Sequence, residues 1–234
     1  MKHLLNCLAF GLLAASPLRA QVGHDPAGSP YRDLRYNQFV SLTVGQVFGS
    51  GGQIGVAPHR GQVAFLRHDF LADRPLSISL GGGYAKLERN FALLTAPTNR
   101  LRGPVDNDVF FGEVVTQLNL TGGKTWHGLA PYVNLGLGVA FSEKLPADSS
   151  GFKFGNKLYL APAAGVRVFL SRRLFVRLEA KAMFWSVVYP GSYLNDPDGA
   201  FGPETPLLTA ELKEWISTPV LHAGLGFAFR RPFF

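Results

Sequence analysis

The chain has 234 residues, with 23 Lys and Arg against 16 Asp and Glu, so its formal net charge at pH 7 is +7. This modest excess contains no basic run that resembles a nucleic-acid motif, which argues against nucleic acid as a partner. Contact with anionic lipid headgroups and scattered solubilising charge both account for it. The length fits one domain after an export signal.

The first 20 residues follow the pattern of a secretory signal peptide. Lys2 opens a short positive region, an apolar run extends from Leu4 to Ala15, and Ala20 precedes a cleavage point. The run is too short to span a bilayer as a helix, and no later apolar stretch is long enough either. We therefore expect residues 1–20 to be a signal peptide, residues 21–36 an irregular leader and residues 37–234 the folded domain. The single cysteine, Cys7, lies in the signal.

Eight segments after the leader show period-two alternation or a short apolar run, which indicates β-strands. Each has about 10 to 14 residues, a length that suits a tilted membrane strand. Short connections follow the second, fourth and sixth segments, and long connections follow the others, as in barrels with short periplasmic turns and long external loops. In the last long connection, Thr209 could cap a short helix. The segments are 37–48, 61–71, 75–88, 109–121, 130–142, 157–170, 174–188 and 217–229.

The seventh segment contains "VRLEAKA", in which charges of alternating sign occupy every second position. In a strand these charges share one face, and the apolar residues between them share the other. A soluble sandwich would expose the charged face to water, whereas a membrane barrel would turn it into the lumen. Other segments also pair an apolar face with a small or polar one, which favours the barrel. The second segment is ambiguous, because Arg67, His68 and Asp69 are consecutive. We predict a polar lumen network of Glu113, Gln117, Asn134, Arg167, Arg177, Glu179, Lys181 and His222.

The stretch "HAGLGFAF" near the end of the chain resembles the terminal-strand signal that the outer-membrane barrel assembly machinery recognises, with His222, Gly224, Phe227 and Phe229 in the motif positions. The chain as a whole resembles the small outer-membrane β-barrel proteins of the OmpA, OmpX and OmpW type. This resemblance implies an all-β, eight-stranded antiparallel up-and-down transmembrane β-barrel in the outer membrane of a Gram-negative bacterium. Its implied partners are outer-membrane lipid and the assembly machinery.

Three functions fit such a barrel. The first is a structural or surface-interaction role, in which the external loops meet a protein or small-ligand partner. The second is a porin-like narrow channel or a path for small apolar molecules, as in OmpW-like barrels. The third, lipid A modification, needs a serine with a nearby histidine, and no His-x-Ser pair occurs. We therefore expect no enzyme activity, no catalytic or metal site and no cofactor.

Overall fold

The computed structural model describes residues 28–70, 75–93, 100–146, 148–194, 207–208 and 211–230. The chain divides into two compact units between Tyr31 and Arg32, and only residues 28–31 of the first unit are described. The predicted signal peptide lies outside the described residues. The strands are β1 (Tyr31–Asp33), β2 (Gln38–Val47), β3 (Arg60–Phe70), β4 (Leu76–Ala92), β5 (Leu101–Asn119), β6 (Lys124–Trp126), β7 (Leu129–Ser142), β8 (Gly155–Phe169), β9 (Leu174–Val188) and β10 (Lys213–Phe229).

Strands β2, β3, β4, β5, β7, β8, β9 and β10 close into an antiparallel barrel. Each pairs with the next along the chain, and β10 returns to β2, with Val220 opposite Val47 and Phe229 opposite Gln38. Each of these eight strands therefore has a partner on both sides, which satisfies backbone groups inside a membrane. The predicted eight-stranded up-and-down barrel is confirmed. Of the two short strands, β6 pairs with β7 and β1 with β6.

The strand connections define two ends of the barrel. At what we call the turn end, residues 71–75, 120–128 and 170–173 join the strands. At the loop end, the connections span 48–59, 93–100, 143–154 and 189–212. Among the described residues, no helix is long and apolar enough to span a bilayer.

Two predicted loops are partly strand. Residues 89–92 continue β4 and residues 101–108 begin β5 beyond the barrel, with Arg89 opposite Val105 and Ala92 opposite Leu101. Lys213 to Trp215, which follow the proposed helix cap, belong to β10 and pair with β9, so the predicted helix does not include them. Thr209, its proposed cap, lies outside the described residues. In both places, pairing with the neighbouring strand overrides the local loop or helix pattern.

The outer wall is a belt of exposed apolar side chains. On β9, Leu178 is 44% exposed, whereas its neighbours Arg177 and Glu179 are 1% and 4% exposed. Contact between water and so many apolar side chains is unfavourable, so this wall is suited to face lipid. Exposed aromatic residues flank the belt, as at membrane interfaces. The leucine side chains of this belt that are more than half exposed include Leu42, Leu66, Leu80, Leu137, Leu158, Leu221 and Leu225.

The interior has three layers between the two ends. A polar layer occupies the middle of the lumen. Toward the loop end lies an apolar core that includes Phe65, Phe111, Tyr159 and Trp185. Toward the turn end, a small cluster contains Phe39, Phe175 and Ala228. Side chains therefore fill the barrel, as expected for eight strands.

Replacing Ala180 with Arg tests whether lipid covers the outer wall. Ala180 is exposed near the middle of β9, so in water an arginine there would extend freely and change stability little. At the bilayer midplane an outward arginine costs about 2–4 kcal/mol, and near the interface about 0–1 kcal/mol. We expect Ala180→Arg to lower the free energy of unfolding by the larger amount in urea titrations in phospholipid vesicles.

The matched control is Val188→Arg, at the end of the same strand, where the side chain is also exposed. This variant places the same charge on the same face but near the interface. We expect it to cost the smaller amount. If both variants unfolded at the same urea concentration as the parent, the wall would not be lipid-facing.

Candidate functional site

The carboxylate of Asp69 is the centre of the polar layer. Its Oδ1 accepts a hydrogen bond from Arg67 Nε at 2.8 Å, and its Oδ2 accepts from Arg167 Nη2 at 2.8 Å and Arg177 Nη1 at 3.0 Å. All four side chains are at most 5% exposed. Three guanidinium groups from β3, β8 and β9 thus share one carboxylate. Such charge-assisted bonds are about twice as strong as neutral ones.

A second carboxylate, Glu179 on β9, pairs with two of these guanidinium groups, those of Arg67 and Arg177. Its Oε1 lies 3.3 Å from His222 Nε2 and 3.9 Å from Lys181 Nζ. The other oxygen accepts four hydrogen bonds from donors on β3, β7 and β9, so Glu179 joins three strands across the lumen. Oε2 accepts hydrogen bonds from Tyr132 Oη at 2.8 Å, Arg67 Nη1 at 3.1 Å, Asn134 Nδ2 at 3.1 Å and Arg177 Nη2 at 3.3 Å.

The third carboxylate, Glu113 on β5, forms the edge of the polar layer that faces the loop end. Lys181 Nζ donates to both of its oxygens, at 2.7 and 2.8 Å, and Tyr159 Oη donates to Oε2 at 3.1 Å. Lys181 Nζ also lies 4.5 Å from the centroid of the Phe65 ring. This pair therefore meets the apolar core directly, where an unpaired charge would be costly.

Amide side chains complete the polar layer on the side that faces the turn end. Gln117 Oε1 accepts from Arg67 Nη2 at 2.9 Å and from Arg177 Nη2 at 3.2 Å. Its Nε2 donates to Asn119 Oδ1 at 2.6 Å, and Asn119 Nδ2 donates to Pro75 O at 2.9 Å. The amides thus carry the network to the backbone of the turn end.

All eight residues that the sequence suggested for the lumen network are buried, and they contact one another directly or through shared partners. Sequence analysis left out Arg67, Asp69 and Tyr132. The alternation of Val63, Phe65, Arg67 and Asp69 was the signal for an inward face of β3, but the intervening His68 obscured it. The described lumen charges comprise four cations and three carboxylates.

A separate buried ion pair closes the loop end. Arg89 Nη2 donates to Asp148 Oδ2 at 3.0 Å, and Arg89 Nη1 donates to Val56 O at 3.2 Å. Asp148 Oδ1 accepts from the backbone N–H and the hydroxyl of Ser150, and this hydroxyl lies 2.8 Å from Tyr193 Oη. Burial raises the pKa of Tyr193 to about 12, so it remains a neutral phenol at neutral pH. Three loops are thereby joined above the apolar core.

A second cluster fixes the loop after β2. The Gln53 backbone N–H donates to Glu214 Oε1 at 2.9 Å and to Tyr189 Oη at 3.2 Å, and Tyr189 also donates to Glu214. Gly52 precedes it with φ at +85°, and a Cβ atom there would overlap Tyr189 and Glu214. Glycine therefore lets the loop approach β10 closely.

One row of lumen residues has the order of a catalytic triad. His222 Nδ1 lies 3.0 Å from Thr43 Oγ1, and His222 Nε2 lies 3.3 Å from Glu179 Oε1. However, Thr43 is 2% exposed, and its hydroxyl also contacts Phe65 O at 3.5 Å. A substrate therefore has no open approach to this hydroxyl. The residues described contain no group of His, Cys, Asp and Glu suited to hold a metal ion.

The terminal-strand residues also have defined places. His222 is buried in the lumen, whereas Phe227 is 42% exposed on the outer wall. A Cβ atom at Gly224 would overlap the backbone of β2, so this glycine permits the closing pair of strands to approach. Phe229 is the last residue of β10.

Solved structures share this architecture. The outer membrane protein OprG from Pseudomonas aeruginosa is 12% identical, with 87% of this chain and 100% of that chain covered, at a TM-score of 0.52. The fold is that of the small outer-membrane β-barrels. The N-terminal β-barrel domain of Pseudomonas aeruginosa OprF is 15% identical, with 83% and 98% covered and a TM-score of 0.45. Neisserial surface protein A is 13% identical, with 86% and 98% covered and a TM-score of 0.44.

No protein-family model and no curated protein sequence matches the chain. At identities this low, the solved structures establish the fold alone. The predicted resemblance to small outer-membrane barrels is confirmed at that level. An outer-membrane location follows from this fold together with the belt of exposed apolar side chains.

Replacing Glu179 with Ala tests the ion network. The change leaves Arg67 and Arg177 in the lumen with one carboxylate fewer, and it removes the partner of His222. Loss of one partner from a buried ionic group typically costs about 3–5 kcal/mol. We expect a clearly lower midpoint of urea unfolding in vesicles.

Asp106→Ala is the matched control, because Asp106 pairs with Lys86 at 2.8 Å but both side chains are more than half exposed. An exposed pair contributes about 0–1 kcal/mol. Equal midpoints for Glu179→Ala and Asp106→Ala would mean that the lumen charges are solvated.

Proposed function

We propose that this protein is a closed, non-conducting outer-membrane barrel whose loop end is an interaction surface for a protein or small-ligand partner. The observation that carries the proposal is that side chains occupy the lumen at three successive levels. Phe39 and Phe175 lie toward the turn end, the Asp69 network occupies the middle, and the Trp185 core lies toward the loop end. An ion would have to displace buried side chains at each level.

The loop end supports the second half of the proposal. The Arg89–Asp148 pair and the cluster of Gln53, Tyr189 and Glu214 hold the described parts of three loops together. A surface that is ordered before binding loses less conformational entropy when a partner arrives. The loops therefore suit recognition of a partner from outside the membrane better than passage through the barrel.

We also propose that the protein has no enzyme activity. The row formed by Thr43, His222 and Glu179 is enclosed within the ion network. A nucleophile needs access to its substrate as well as a neighbouring base. The burial of Thr43 therefore favours a structural role for this row.

The terminal strand suits recognition by the assembly machinery. Phe227 points to the outer wall, and β10 ends at Phe229. We propose that this strand, with His222 and Gly224, is the signal by which the machinery engages the chain before β10 pairs with β2.

A second candidate function is a path for small apolar molecules. The part of the lumen toward the loop end favours this function, because its lining is apolar. This lining includes Val63, Phe111, Met183 and Trp185. Such a molecule would meet the Glu113–Lys181 pair at the bottom of this region. Passage would then require an exit above that pair or a rearrangement of it.

Planar-bilayer recordings test whether the lumen is closed to ions. The Asp148→Ala variant tests whether the arrangement of the loop end can be disturbed while the lumen stays closed. The variant leaves Arg89 buried without its carboxylate, so we expect the 143–154 segment to become more sensitive to protease. The ion network below stays intact, so we expect neither parent nor variant to show steady channels of porin size. Such channels in the parent would overturn the closed-barrel proposal.

Glu143→Ala is the control for the protease assay, because Glu143 is an exposed acid in the same segment. It should leave proteolysis unchanged. Proteoliposome uptake of a small apolar dye distinguishes the two candidate functions. We expect uptake equal to that of empty liposomes, and faster uptake would favour the apolar path.

A further inference from the structure

The turn end of the barrel carries an excess of positive charge. We count here the described residues of the three turns together with those just before β2 and just after β10. Among them, Asp33 is the only acidic residue, against six Lys and Arg residues. At the loop end, by contrast, charges of both signs occur and pair, as Lys86 does with Asp106. The basic residues of the turn end are Arg32, Arg35, Lys124, Arg172, Arg173 and Arg230.

Part of this charge lines a cavity of about 470 Å³ between the segment before β2 and the β8–β9 turn. Arg32, Arg35 and Arg172 are among its lining residues, together with Asp33. The lining thus has a net charge of +2. A cavity with this charge attracts an anion, and guanidinium groups offer paired donors that match phosphate oxygens.

The same cavity has an apolar side. Leu34, Phe39 and Phe169 belong to its lining. The rings of Phe39 and Phe169 pack at 6.3 Å, and Arg167 Cζ of the ion network lies 4.7 Å from the centroid of Phe39. The apolar lining therefore rests on the fixed interior of the barrel. Guanidinium groups next to apolar surface suit a ligand that has both an anionic and an apolar part.

The segment before β2 is held in place at several points. Leu34 N donates to Gly123 O at 2.8 Å, and Thr125 Oγ1 donates to Arg32 O at 3.4 Å. Arg173 Nε donates to Tyr36 Oη at 3.1 Å. These bonds attach the segment to two different turns, so the cavity wall is built before a ligand binds.

Tyr36, which also lines the cavity, reports its positive potential. The hydrogen bond from Arg173 lowers the pKa of Tyr36 below its usual value, and the charges of Arg173, Arg172 and Arg35 act in the same direction. The positive charges therefore favour a negative group at this position.

We propose that this cavity is a binding site for one phosphate-bearing ligand, held by Arg35 and Arg172 through its phosphate and by Leu34 and Phe169 through its apolar part. Exposed Trp126 lies at the same end of the barrel, where interfacial aromatic residues mark the headgroup level of a bilayer. Phosphate groups of lipids are concentrated at that level. The source of the phosphate is either a phospholipid headgroup or a soluble phosphate ester.

Calorimetric titration of the protein in dodecyl maltoside micelles, which carry no phosphate, tests the site. The two probes are short-chain phosphatidylglycerol below its micelle concentration and glycerol 3-phosphate. We expect saturable binding of one molecule per chain for at least one probe. Tighter binding of the lipid assigns the site to a headgroup with its chains, whereas equal binding assigns it to soluble phosphate esters and would overturn the role of Leu34 and Phe169. Neither probe binding saturably would overturn the proposal.

Two double variants separate a built site from diffuse attraction. Arg35→Gln with Arg172→Gln removes two cavity charges, and Lys124→Gln with Arg230→Gln removes two charges from the same end outside the cavity. Each lost charge-assisted bond should weaken binding about tenfold. We therefore expect at least a tenfold loss for the first pair and less than about threefold for the second. Equal losses would overturn the proposal.

All four residues are exposed, and heat-modifiable migration on gels verifies that each variant has folded. Salt gives a measurement that needs no variant. At about 1 M ionic strength the Debye length falls to about 3 Å, so binding of either phosphate probe to the parent should weaken strongly. Affinity unchanged by salt would exclude the guanidinium groups as the source of binding.

Discussion

Asp69 holds three guanidinium groups inside a lumen that eight strands make only wide enough for side chains. Hydrocarbon surrounds the wall, so each charge inside it must find its counter-charge within a few ångströms. This requirement explains why the polar layer also contains Glu179, Glu113 and the amides of Gln117 and Asn134. The polar layer is a core in the ordinary sense, built from ion pairs instead of apolar contacts.

The apolar clusters above and below this layer follow from the same requirement. Phe39 covers Arg167 on the turn side, and Phe65 covers Lys181 on the loop side. Aromatic rings can cap a cation while they exclude water from it. The ion network is thereby sealed at both ends, and the loops that meet at Arg89 add a further seal. These seals are the structural basis of the closed barrel that we propose.

Most of the barrel could be predicted from sequence, because period-two alternation is a local property of each strand. The inward charges of β9 and the outward leucines of β7 were readable in this way. The face of β3 was not, because His68 lies at its turn-side end with its ring 4.0 Å from Phe70 and 5.8 Å from Phe229. The pattern within β3 does not reveal an interfacial histidine that packs against another strand.

The loop core was also beyond sequence reasoning. Arg89 and Asp148 are far apart in the chain, and neither belongs to a local motif. Their meeting depends on how far β4 extends beyond the barrel and on where the loop after β7 turns. The cavity at the turn end has the same origin, because its arginines come from the segment before β2 and from the β8–β9 turn.

The ion pairs of Asp69 with Arg167 and Arg177 join strands that are distant in the sheet. From β3 the path to the guanidinium group on β8 crosses β2, β10 and β9. With about 4.8 Å between neighbouring strands, a flat sheet holds these charges too far apart to pair. They meet only when β10 finds β2, and until then they remain hydrated and unfit for hydrocarbon. On this geometry, we expect completion of the sheet and departure of water from these charges to coincide.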